Sequence, residues 1–190
     1  MAGETISGPG KKGARIGATL VFVDEAGFYL LPFVVATYAP RGQTPILAET
    51  VTHDHLAVIS GVTPAGGLFL QIYERALTGV EVVRFLKHLE RCLPGSVIVI
   101  WDGAPIHWNR AVKAFLAAGH AARIELVSLP GYAPELNPNE GVWGSLKVKE
   151  LANMACEDVV ALRHELSQAV RRLRRHPEVI RGYFREAGYL

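Results

Sequence analysis

The sequence predicts an α/β fold in which a mixed sheet carries packed helices, and three observations predict it. Strand-like runs come first, at 18–23, 28–36, 56–60 and 68–73. Helical and strand patterns then alternate to the C-terminus, which builds helices onto a sheet. Val97-Ile98-Val99-Ile100 is an unbroken β-branched run, the pattern of a strand buried on both faces.

Residues 1–16 read as a flexible basic lead-in, with Lys11, Lys12 and Arg15 among glycines. Their GPGKKG segment lacks the spacing of a phosphate-binding loop. Residues 17–190 read as one domain. Asp24-Glu25-Ala26-Gly27 interrupts two apolar runs, Ala18 to Val23 and Phe28 to Ala36, so the pair is expected to form a hairpin. Leu56 to Ser60 and Leu68 to Tyr73 follow as strands around Pro64 and Gly66-Gly67. Thr78 with Glu81 forms a capping box, and Val82, Leu86, Leu89 and Leu93 make a helical stripe that Pro94-Gly95 stops. After the buried strand, a helix over Asn109 to Ala118 ends at Gly119, and Ile124 to Ser128 is another strand. Pro138 opens a further helix after Asn137. A last long helix has Val159, Leu162, Leu166, Val170 and Leu173 on one face and arginines mostly on the other.

The 190 residues are 49% hydrophobic and 20% charged, a globular balance with enough chain for a sizeable core. Cys92 and Cys156 stand far apart outside any CxxC pattern, as in a reduced, cytoplasmic protein. No apolar run reaches the roughly 18–20 residues that span a bilayer, and no secretory signal pattern opens the chain. A net charge of +2 permits nucleic-acid binding without requiring it. Arg163, Arg171, Arg172, Arg174, Arg175, Arg181 and Arg185 crowd the C-terminal stretch, as either a solvated helix face or a phosphate-contacting surface.

Three acids fall where elements end: Asp24 after Val21-Phe22-Val23, Asp102 after Ile100-Trp101, and Glu140 in the first turn after Pro138. Three carboxylates at one sheet edge would repel one another unless cations intervene. Oxygen-only donors suit Mg²⁺ or Mn²⁺, and two such ions can activate an attacking hydroxyl and steady a leaving oxygen. Each acid also has a plainer reading. Asp24 and Asp102 suit turns, and Glu140 sits three residues after Asn137, as in a capping box. Glu25 is a second choice beside Asp24, because strand alternation turns it to the other face. His53-Asp54-His55 hints at a zinc pair, but no further ligand set accompanies it. Trp101, Trp108 and Trp143 suit core or site-lining places, and Trp108 also suits base stacking.

The flanking residues carry a resemblance. VFVDEAGFYLLP (21–32), WDGAPIH (101–107) and LPGYAPELNPNEGVWGSLK (129–147) resemble, in order, the three catalytic blocks of bacterial insertion-sequence transposases of the mariner superfamily. The third block is the most specific, with Trp143 and Leu146-Lys147 following as in the family, and the likeness extends over nearly all of 18–187. It implies a ribonuclease H-like mixed sheet with helices on both faces, and a DDE endonuclease site of Asp24, Asp102 and Glu140 holding a pair of Mg²⁺ or Mn²⁺ ions. It further implies Mg²⁺-dependent cleavage at transposon ends and strand transfer to target DNA, with insertion at TA dinucleotides.

His107 and Asn137 are expected to orient the carboxylates or meet the scissile phosphate. Lys147, Lys149, Arg171, Arg172, Arg174 and Arg175 are expected to bind DNA phosphates. The family's helix-turn-helix region, which reads transposon ends, is expected to be missing from these residues. A homodimer or a full-length transposase is therefore an additional candidate partner. Two alternatives stay open: a nuclease of the same fold that only hydrolyses, and a non-catalytic fragment that binds DNA or a transposase partner.

Overall fold

The computed structural model describes residues 17–31, 33–44, 46, 54–131 and 133–190; the basic lead-in and His53 of the His-Asp-His motif lie outside them. Five strands form one sheet: β1 (Thr19–Tyr29), β2 (His55–Val62), β3 (Leu68–Tyr73), β4 (Val97–Trp101) and β5 (Ile124–Ser128). They lie in the order β3-β2-β1-β4-β5. The first three run antiparallel to their neighbours, while β4 joins β1 and β5 joins β4 in parallel. Every residue of β4 is buried, as its β-branched run predicts.

Helices cover both faces, and strand alternation divides the core between them. Leu20, Phe22, Ala26 and Phe28 of β1 face one cluster. That cluster holds side chains of α3 (Asn139–Gly144), α4 (Val159–Arg174) and α5 (Pro177–Glu186). Val21 and Val23 face the other, with α1 (Gly79–Cys92) and α2 (Arg110–Ala117). The capping box at α1 forms as read: the Thr78 side chain accepts from Val80 N, and Thr78 N donates to Glu81 Oε2 at 3.0 Å. Gly119 ends α2 with φ 107°, a left-handed conformation that glycine adopts without strain.

The expected hairpin at 24–27 is corrected. β1 runs straight through this segment, pairing Asp24 with Ser60, Glu25 with Ile59, Ala26 with Val58 and Gly27 with Ala57. A neighbouring strand supplies the hydrogen bonds that a turn would otherwise have to make locally, so the Asp-Glu-Ala-Gly signal loses to β2. Phe28 and Tyr29 finish β1. Farther on, Phe33 bridges to Ala152 and Val35 N donates to Asn153 Oδ1 at 2.9 Å. The last long helix forms over Val159–Arg174, and a further helix follows it, opened by Pro177 after His176.

Candidate active site

β1 pairs with β4 from Thr19 opposite Val97 only as far as Phe22 opposite Ile100. Beyond Trp101 the chain leaves the sheet through Gly103-Ala104-Pro105 into a short 3₁₀ turn (Pro105–Trp108), so among the described residues no strand pairs with β1 from Val23 onward on that side. It is thus β4, not β1, that terminates at the site. Continuing the shared register brings Asp24 level with Asp102, and the gap beside them is a cleft of about 450 Å³. Its lining includes Asp24, Asp102, Asn137 and Glu140, together with Gly103, Ala104 and 129–131. Three acids from three elements therefore share one cleft, and no lysine or arginine stands among the described lining residues.

Each acid is held differently. Asp24 Oδ2 accepts from the Trp143 indole Nε1 at 2.7 Å. Burial pushes the Asp24 carboxyl up to about 6; the Trp143 hydrogen bond opposes this, while the charges of Glu25 and Glu140 add to it. Asp102 Oδ1 accepts from Ala104 N at 2.9 Å and lies 3.0 Å from His107 Nδ1. Glu140 is exposed at the first turn of α3. The capping box that its spacing from Asn137 offered as the plainer reading does not form, because Asn137 N donates to Pro134 O at 2.8 Å. Asn137 Oδ1 instead accepts from Asn139 N at 3.2 Å. The Glu140 carboxylate makes no hydrogen bond among the described residues and is left to the cleft.

His107 is fully buried, stacked on Trp101 with centroids 4.2 Å apart. Its Nε2 lies 2.9 Å from Glu25 Oε1, on the face of the sheet opposite Asp24, as alternation requires. Burial alone would lower the His107 pKa, but the hydrogen bond and charge of Glu25 and the Asp102 contacts outweigh it and hold the pKa above its ordinary value. Glu25 is thereby a partner of His107 and does not line the cleft.

Sequence reading missed Asn139. This fully buried amide donates from Nδ2 to Phe22 O at 2.9 Å and accepts from Ser60 Oγ at 2.8 Å. It pins the start of α3, and hence Glu140, to β1 and β2 beside Asp24. An asparagine near a helix start reads as a cap, so no local signal marks it. The Trp143 contact was more accessible: three residues after Glu140 it falls on the same helix face.

The six predicted DNA-binding cations do not gather at the cleft. Lys147 sits 5.2 Å over the Phe28 ring. Lys149, Arg172 and Arg175 line a groove beside Glu150, to which Arg172 Nε donates at 2.7 Å. Arg171 and Arg174 lie along β3. Trp108 is 41% exposed, and the His55 ring lies tilted against Tyr29 with centroids 5.2 Å apart.

The donor set fits hard divalent cations: oxygen ligands, an excess of negative charge and no resident basic side chain. Asp24, Asp102 and Glu140 are the residues that could hold them. Among the described residues no three His, Cys, Asp or Glu side chains already stand in ligating arrangement, so Glu140 and the half-exposed Asp102 would have to turn inward on binding.

A family model for the DDE superfamily endonucleases matches residues 19–163. The chain belongs to this family. No curated protein sequence matches it. Among solved structures it is similar to the catalytic domain of Mos1 mariner transposase, with TM-score 0.56 and 15% identity over 95% of this chain and 89% of that one. It is also similar to the Mos1 strand transfer complex, with TM-score 0.61 and 18% identity over 95% of this chain. A Mos1 paired end complex with Mn gives TM-score 0.62 at 17% identity. The chain spans 58% of the length of the protein in the strand transfer complex. These likenesses place the DDE endonuclease on a ribonuclease H-like fold. No helix among its described residues is long and apolar enough to cross a membrane.

Proposed function

We propose that this DDE endonuclease is the catalytic domain of a DNA transposase, cutting DNA at transposon ends and joining the freed 3′-hydroxyl to target DNA. The observation that carries the reading is one cleft lined by Asp24, Asp102 and Glu140, which come from a strand centre, a strand end and a helix start, with no cation of the chain among the described lining residues. Mg²⁺ or Mn²⁺, as a pair, would neutralise the scissile phosphate and lower the pKa of the attacking hydroxyl. Trp143 holds Asp24 in one orientation, and His107 and Ala104 N hold Asp102. Glu140 enters from the N-terminal end of α3, whose dipole favours negative charge there. Asn137, also in the lining, offers a donor toward a phosphate oxygen.

Residues 17–190 form the catalytic unit, and DNA is its partner. The Mos1 structures named above include a strand transfer complex and a paired end complex, which supports that partner by likeness of fold. The test combines labelled transposon-end DNA, a supercoiled target plasmid and Mg²⁺. Joined products are expected from the wild type and none from Asp102→Ala, whose metal-free DNA affinity should stay within about threefold, since non-specific affinity rests on phosphate contacts. Hydrolysis without joining would leave a nuclease, and neither product would leave a binding fragment.

A further inference from the structure

Among the described residues the sheet ends on β3, whose outer edge has no strand partner there. An open edge is commonly blunted by charge, but here both flanking helices carry arginines along it. Arg163, Arg171 and Arg174 of α4 line a groove of about 440 Å³ on one side. Arg84 and Arg91 of α1 line one of about 500 Å³ on the other. Gln71 and Tyr73 border both grooves, so the two make one surface folded over the edge. His88 lies between the two sides. Burial first, then the charges of Arg91 and Arg174 together, lower its pKa.

Few counter-charges stand nearby. Glu81 lies 3.5 Å from Arg84, and Glu74 lies 3.5 Å from Arg163. Glu90 faces the α1 groove but is taken by His120 at 2.7 Å. Arg174 Nε donates to the edge carbonyl of Leu68 at 3.0 Å. Arg91 and Arg171 are exposed and without an ion pair among the described residues. Blunting an edge asks for one charge across it. Five guanidinium groups on two helices, two of them unpaired, make a field suited to a polyanion.

We propose that the β3 edge is a second DNA-binding surface, gripping the phosphate backbone of a duplex outside the carboxylate cleft. The choice of DNA as the polyanion rests on the function proposed above. β3 lies two strands from β1, about 10 Å across the sheet, at the edge opposite β5, whose following loop borders the cleft. From Arg163 to Arg174 the helix runs about 16 Å, a length of duplex that carries roughly nine phosphates on its two strands at one charge per ~1.7 Å. Guanidinium forks match phosphate oxygens in pairs, and such contacts position DNA without reading its sequence.

The test is fluorescence anisotropy of a labelled short duplex, in EDTA, across a salt series. Arg91→Glu/Arg171→Glu should weaken binding roughly tenfold or more and flatten the slope of log affinity against log salt by about two. Arg181→Glu/Arg185→Glu makes the same charge change on α5 and should stay within about threefold. An unchanged slope in the first variant, or equal loss in both, overturns the proposal. So does a polyglutamate peptide that competes as well as unlabelled duplex. If the reversed variant melts below the assay temperature, Arg91→Gln/Arg171→Gln replaces it, with the same change in slope expected. Because no metal is present, the two readings fail separately. Unchanged binding in a protein that still joins DNA ends rejects the edge alone. Lost binding in a protein without cleavage rejects the catalytic reading alone.

Discussion

At the residue scale, burial works against the ionised form of Asp24. Its carboxyl is buried beside two other acids, and its pKa rises from 3.8 to about 6. A carboxyl whose folded pKa lies above its unfolded value favours the native state while protonated. That contribution is complete below pH 4 and is lost as the pH rises through 6, about 3 kcal/mol in all. Metal-free protein should therefore become easier to unfold between pH 4 and 7, and Asp24→Asn should remove that part of the dependence. Urea midpoints in EDTA measure it; an identical pH dependence in the variant would count against the burial argument. Trp143→Phe takes away the only side-chain hydrogen bond found on Asp24 among the described residues. The pH at which Mg²⁺ begins to raise the melting temperature should then move upward. His107 acts in the same direction at higher pH. Held above its ordinary pKa, it stabilises the fold below about pH 6.5 and loses that contribution as the pH rises past its folded value.

At the scale of elements, α3 decides where Glu140 stands, and two contacts decide where α3 stands. Asn139 fixes its start to β1 and β2, and Gly141 lets it approach α5. A Cβ on Gly141 would lie 2.3 Å from Tyr183 Cδ1 and 2.4 Å from Cγ. Gly141→Ala must therefore push α3 away from α5, with a stability loss of about 2 kcal/mol, typical of overpacking. Joining activity should fall by more than the unfolded fraction explains, because Glu140 moves with the helix. A thermal melt together with an activity assay below the melting temperature checks this, and wild-type stability in the variant would contradict it. Elements were legible wherever the period was strong and the ends were capped, as in α1 with Thr78 and Glu81 or β4 with its β-branched run. The Asp24–Gly27 segment was not legible, because turn propensity is local and the competing partner, β2, lies about thirty residues away in sequence.

At the scale of the whole molecule, the sheet order brings three acids together and keeps the arginines apart from them. The acidic cleft is a source of repulsion in the folded state alone, so millimolar Mg²⁺ or Mn²⁺ should raise the melting temperature. The rise should be largest above pH 6, where Asp24 is ionised. A metal titration by differential scanning fluorimetry reads it, and Asp24→Asn/Glu140→Gln should abolish it. A shift of the same size in that variant would place the metal elsewhere.

By itself the sequence determined the fold class, most of the elements and the three candidate carboxylates, because hydrophobic period, capping residues and the three ordered blocks are local properties of the chain. Only the tertiary structure decided how those acids are held. Trp143 on Asp24, His107 on Glu25, and Asn139 on Phe22 and Ser60 are contacts between residues far apart in sequence, set by strand order and register. The arginines show the same limit. Sequence proximity grouped them as one surface, whereas packing sends Arg172 to Glu150 and sets Arg171 and Arg174 in the groove along β3. Which charges act together depends on where the helices dock, and docking is fixed by the buried faces rather than by the charged ones.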